Sequence, residues 1–183
     1  MAEESEESNE QNTSAGIDNP EGLTKEELDA RLRELPFQVF LMVAGADGTV
    51  DEIESDRFFK LIEERKICRS PYSRWLFSET RKRSGQLVKA YQEGKLTADL
   101  NRIHETLRYV NMHIPQKNAL AFNEDLERMA MGIAQASSGF FAAKSVSKKE
   151  RAALLSFHEI VKTELQEAQK MLLAEIKEEE SKK

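Results

Sequence analysis

Three short stretches fix where helices begin in this chain. Thr24-Lys25-Glu26-Glu27, Asp51-Glu52-Ile53-Glu54 and Ser147-Lys148-Lys149-Glu150 each set a hydroxyl or carboxylate three residues ahead of a glutamate. In such a capping box the first side chain takes the amide of the third helical residue, and the glutamate reaches back to the capping amide. Apolar residues at helical spacing follow each box: Leu28, Leu32 and Leu35; Phe58, Leu61 and Ile62; Leu154, Val161 and Leu165. No segment alternates apolar and polar residues with period two, and no Asn-Gly hairpin turn occurs. The fold class is therefore expected to be all-α, a compact bundle of about seven or eight helices.

Pro36 is expected to stop the first helix and to open a second that runs to about Ala46. A third should span Glu52 to about Arg65. Ser70-Pro71 starts a helix carrying Trp75 and Leu76, broken at Ser84-Gly85, and Leu87, Val88 and Tyr91 mark a short one closed by Gly94. Thr97-Ala98-Asp99-Leu100 begins a further helix that turns Leu100, Ile103, Leu107 and Val110 inward. Pro115 opens one with the stripe Phe122, Leu126, Met129, Ile133 and Ala136. The last helix sets Leu154, His158, Val161, Leu165, Ala168 and Leu172 in register.

Charge divides the chain. Residues 1–22 hold seven acidic side chains and no Lys or Arg, whereas the whole carries −6, so the remainder is close to +1. Residues 1–22 are expected to be a disordered acidic tail, 23–176 one all-helical domain, and 177–183 a frayed, charged end. A folded part of ~160 residues buries roughly 70% of its unfolded surface and needs no covalent staple. Cys68 is the only cysteine, which fits a reducing compartment and rules out an internal disulfide. With no basic-then-apolar leader and no long apolar run, a cytoplasmic protein is expected.

Between the second and third expected helices lies Ala46-Asp47-Gly48-Thr49-Val50-Asp51-Glu52-Ile53-Glu54, where Asp47, Asp51 and Glu54 bring three carboxylates to one junction. The stretch overlays the second half of an EF-hand loop, with Asp47 fifth, Gly48 sixth and Glu54 twelfth. The first and third positions fall on Val43 and Gly45, which have no side-chain oxygen, so an ordinary EF-hand is excluded. Hard oxygen ligands of this kind would take Ca²⁺ or Mg²⁺. Equally, Gly48 would supply a positive φ, Asp51 an N-cap and Glu54 its capping partner, with no metal. A weak repeat places Ala46 over Ala136 and Glu54 over Glu150, giving two helix-turn-helix halves. The second turn is longer by about six residues around Phe140-Phe141 and reads Ser137-Ser138-Gly139 in place of Asp47-Gly48.

Helix, then Ala-Asp-Gly-x-Val-Asp-x-x-Glu, then an apolar helix, with a degenerate copy ending in Val-Ser-x-x-Glu, resembles the tellurite-resistance TerB-like family over about residues 36–66 and 122–165. The resemblance implies an all-helical domain with pseudo-twofold halves and an acidic cluster that binds divalent cations. It also implies a role in tellurite resistance or stress response, in assemblies near the inner face of the bacterial membrane. Carried over by residue, the metal candidates are Asp47, Asp51, Glu54 and Glu150. Ser137-Ser138-Gly139 departs from the pattern where a second aspartate is expected, so a symmetric two-copy site is not expected.

From Lys60 to Lys89 nine basic residues stand against three acidic ones, with Tyr72, Trp75 and Phe77 interleaved. Such a segment can track phosphates and stack bases, but helical spacing places Trp75 in the core and the near-neutral folded part does not favour nucleic acid. His158 on its apolar stripe reads as a core residue. No nucleophile with a visible base, phosphate-binding Gly-rich loop or His-Glu-x-x-His occurs, so an enzyme is not expected. The partner is expected to be another protein, with Phe140 and Phe141 as its contact or, equally, as a plug between helix pairs.

Overall fold

The computed structural model describes residues 25–48, 50, 52–64, 68–137 and 146–181. Within them lie seven helices: α1 Lys25–Ala44, α2 Glu52–Glu63, α3 Pro71–Lys82, α4 Ser84–Gln92, α5 Leu100–His113, α6 Gln116–Ser137 and α7 Lys148–Ser181. No strand occurs among the described residues, and the fold is all-helical.

The second half of α1 is the post around which the others stand. Every residue from Leu35 to Ala44 is buried. A helix apolar all round must be enclosed, and α3, α5, α6 and α7 pack about it. Phe37 and Phe40 meet Phe58 and Phe59 of α2, with Phe40 stacked on Phe58 at 4.6 Å and Phe37 on Phe59 at 5.7 Å between centroids. Burying each ring contributes about 1.5–3 kcal/mol, and each aromatic pair about 0.5–1.5 kcal/mol beyond that.

Pro36 does not end a helix. The two helices expected on either side of it are one, with Pro36 inside α1. Proline removes the bond to the carbonyl of residue 32 and its ring opens that turn. The Thr80 hydroxyl of α3 donates to the next carbonyl along, that of Arg33, at 2.9 Å, and lies 3.0 Å from that of Leu76. Gln38, the single polar residue in the buried half, accepts the Asp99 amide at 3.0 Å. Asp99 in turn accepts the Arg102 amide and caps α5. Ion pairs Arg31–Glu105 and Glu34–Arg102 add to the α1–α5 contact.

Elsewhere the expected helices hold, with changes of face. Ile103, Leu107 and Val110 of α5 are buried, but Leu100 is exposed, because Asp99 caps the helix there and the first turn lies outside the packed surface. Phe122, Leu126, Met129 and Ile133 of α6 are buried. Gly132 lets α2 come close: a Cβ there would lie 2.9 Å from the Leu61 side chain. In α7 the buried residues are Glu150, Phe157, Ile160, Val161, Glu164 and Ala168, so the helix is turned from the face expected. His158 is therefore exposed rather than in the core, with its Nδ1 2.7 Å from Glu127 of α6. The end of α7, expected to fray from 177, is helical as far as Ser181. Glu, Lys and Ala are good helix formers, and each added residue closes a backbone bond without burial.

Candidate functional site

The chain leaves α1 through a 3-10 turn, Gly45–Asp47, closed by the Gly48 amide on the Gly45 carbonyl at 3.3 Å. Gly48 has φ 165°, extended backbone open to any residue, and a Cβ there would meet nothing within 4 Å. The positive φ expected of it, like the tight sixth position of an EF-hand loop, is not what this glycine provides. Two residues on, the buried Val50 donates its amide to Tyr91 Oη of α4 at 3.0 Å, which pins the turn before α2 begins.

The four carboxylates expected to share a cation are placed as follows. Glu54 is half-buried in the first turn of α2. Glu150 is buried, and its Oε2 accepts the Ser147 amide at 2.8 Å while the Ser147 hydroxyl accepts the Glu150 amide at 3.1 Å. That is the reciprocal capping box read from the sequence, and it engages the Glu150 carboxylate with its own helix. Asp51 and the side chain of Asp47 lie outside the described residues, as do Phe140 and Phe141. The helix bearing Glu150 packs against the 3-10 turn, so the two stretches meet as elements. Among the described residues no group of three or more His, Cys, Asp or Glu is placed to hold a metal ion.

Two buried carboxylates that the sequence reading passed over are held by cations and amides. Asp125 of α6 is fully buried and accepts the amides of Arg69, at 2.9 and 3.0 Å, and Ser70, at 2.7 Å. These amides precede α3, whose N-cap is Ser70, so one side chain of α6 anchors the start of α3. Arg128, one turn on, pairs with the same carboxylate. Glu164 of α7 is equally enclosed and receives Arg108 in a fork, at 2.8 and 3.1 Å, with His104 Nδ1 at 2.8 Å, all from α5. The hydrogen bond to Glu164 raises the Arg108 pKa and keeps the guanidinium charged. Each acid occupies a helical position where apolar neighbours, Phe122 and Leu126 or Ile160 and Ala168, face the core. A carboxylate in apolar register was the available signal.

Beside Asp125 lies Cys68, half-buried, with its thiol pKa pushed up to about 11 by burial and then by the Asp125 charge. Its thiol is protonated at neutral pH and a poor nucleophile. Trp75 is not in the core: it is 46% exposed on the outer face of α3, because Ser73, Leu76, Phe77 and Thr80 take the inner one. No helix among the described residues is long and apolar enough to cross a membrane. Comparisons with known protein families, with curated proteins and with solved structures found no match.

Proposed function

We propose that this chain is a non-enzymatic, TerB-like helical adaptor serving tellurite resistance or stress response, with the turn from Ala46 to Glu54 as its working site. The observation that carries this reading is that three packed helix pairs map onto packed pairs when α1 is exchanged with α6, α2 with α7 and α3 with α5. The exchange turns α1–α7 into α6–α2, α1–α5 into α6–α3, and α2–α3 into α7–α5, all of which are packed pairs. The match fails for the repeat unit itself, since α6 packs along α7 whereas α1 meets α2 chiefly through Phe37 and Phe40 on Phe58 and Phe59, and α1 packs on α3 more closely than α6 on α5. The three matched pairs are what a duplicated helix-turn-helix would leave, and they support the repeat of Asp51-x-x-Glu54 in Ser147-x-x-Glu150.

A divalent cation, Ca²⁺ or Mg²⁺, would be held by Asp47, Asp51 and Glu54, where it would neutralise converging carboxylates and fix a surface for a protein partner. Glu150, whose Oε2 caps its own helix at Ser147, is left out of the proposed set. Calorimetric titration of Ca²⁺ and Mg²⁺ into wild type, Asp51→Asn and Glu150→Gln tests the assignment. Wild type should give heat and a higher melting temperature with one of the cations, and Asp51→Asn should lose both. Glu150→Gln should bind as wild type does while melting lower from its weakened cap. No heat from either cation in wild type would discard the cation. The capping role of Glu150 favours the second reading that would remain, a metal-free interaction module.

A further inference from the structure

The outward face of α3 is used by nothing described so far. Tyr72 and Trp75, 39% and 46% exposed, stand three residues apart on it, about 4.5 Å along the helix axis. The Arg33 guanidinium lies 6.0 Å from the Trp75 ring centroid, which braces the indole against α1 by a cation–π contact. Lys82 lies two turns on from Trp75 on the same face, Arg83 just beyond it, and Arg74 about 100° round the helix from Trp75 with no ion-pair partner among the described residues. The one acid among them, Glu79, is bonded to Lys82 and faces Arg33, and these cations hold its pKa below the usual carboxylate range. The ridge thus combines two exposed flat rings with a net positive charge.

We propose that this face of α3 is a stacking surface for single-stranded nucleic acid, with bases on Trp75 and Tyr72 and phosphates on Arg74, Lys82 and Arg83. The geometry favours this partner over two others. A membrane surface would want aliphatic side chains to insert, and none of the exposed residues of α3 is Leu, Ile, Val or Met. An acidic peptide would want a groove or a sheet edge, whereas a single outward helix face is convex. Planar rings with flanking cations suit bases and phosphates without sequence preference.

Trp75 is the only tryptophan, so its fluorescence reports directly on stacking. Oligothymidylate added to the full chain at low salt should quench it, and log affinity should fall linearly with log salt. Each phosphate contact adds about 0.7 to that slope, so Arg74→Ala should lower it by about 0.7. Trp75→Ala, followed by anisotropy of a labelled oligonucleotide, should weaken binding roughly five- to a hundredfold, with Trp75→Phe recovering much of the loss. Circular dichroism checks that both variants keep their helices. Absence of quenching by oligothymidylate overturns the proposal. So does an affinity untouched by Trp75→Ala, or equal binding of duplex DNA. Polyglutamate or anionic phospholipid vesicles that quench as strongly would assign the face to an acidic peptide or a membrane instead.

Discussion

Replacing Asp125 should be the most damaging single change outside the aromatic core. Its carboxylate accepts the amides of Arg69 and Ser70, the latter in a residue only 1% exposed. Asp125→Ala leaves the Ser70 amide without an acceptor, a loss of about 1–3 kcal/mol. The Arg69 amide adds less, because that residue is exposed and water can reach it. Arg128 is 31% exposed and already bonded to Glu124, so it loses a partner without becoming a buried lone charge. The whole should be about 3 kcal/mol, at the lower edge of what breaking a buried charged pair does. In a domain of this size that lowers the melting temperature by about 6–12 °C. Asp125→Asn keeps the shape but turns one acceptor into a donor facing an amide, and should lose about 2 kcal/mol. Arg128→Ala takes the counter-charge from a buried carboxylate but leaves its two amides, and should lose about 2 kcal/mol. Urea titrations followed by circular dichroism measure all three. If Asp125→Asn unfolds within about 0.5 kcal/mol of wild type, or if Arg128→Ala is as damaging as Asp125→Ala, the carboxylate is not the anchor of α3.

Three further outcomes follow from named contacts. Glu164→Gln keeps a hydrogen-bonding side chain but loses the charge that Arg108 and His104 face. It should destabilise by about 2 kcal/mol in thermal melts, with Arg108→Ala at least as damaging because it leaves the buried carboxylate facing only His104. Folding raises the Cys68 pKa from 9.0 to about 11, so the folded state keeps a proton that the unfolded chain releases. Its contribution to stability is complete below pH 9.0 and is lost as pH rises to about 11, which urea midpoints across that interval should register and Cys68→Ala should flatten. Gly48→Ala should change stability by less than about 0.5 kcal/mol, since φ is extended and no atom lies within 4 Å of the added carbon. A loss above about 1 kcal/mol would mean that the turn needs a conformation only glycine adopts.

What the sequence made legible is what is local. Ser147 and Glu150 exchange both bonds of their box, Ser70 starts α3 where expected, and the core of α6 lies on its apolar stripe. The misplaced residues are those whose surroundings come from elsewhere in the chain. Pro36 reads as a helix stop because the Thr80 hydroxyl that bonds the Arg33 carbonyl is 44 positions further on. Trp75 reads as core because helical spacing cannot say which side of α3 meets α1. The turning of α7 has the clearest cause. Its apolar stripe alone would centre Leu154, Leu165 and Leu172, yet these are only half-buried while Glu164 is enclosed. Leu165 and Glu164 stand about 100° apart around the helix, as do Ile160 and Val161, which are both buried, so the covered arc is centred on the Glu164 side of the stripe. An enclosed carboxylate without partners would be strongly unfavourable, and two charged or chargeable groups of α5 meet this one. Arg108 and His104 satisfy the carboxylate on that face, which Phe157 and Ile160 share. Glu164→Leu combined with Arg108→Leu should let α7 turn back toward its apolar stripe, with Leu165 and Leu172 becoming more protected from solvent. If their protection is unchanged in the double variant, side-chain packing and not the ion pair sets the face of α7.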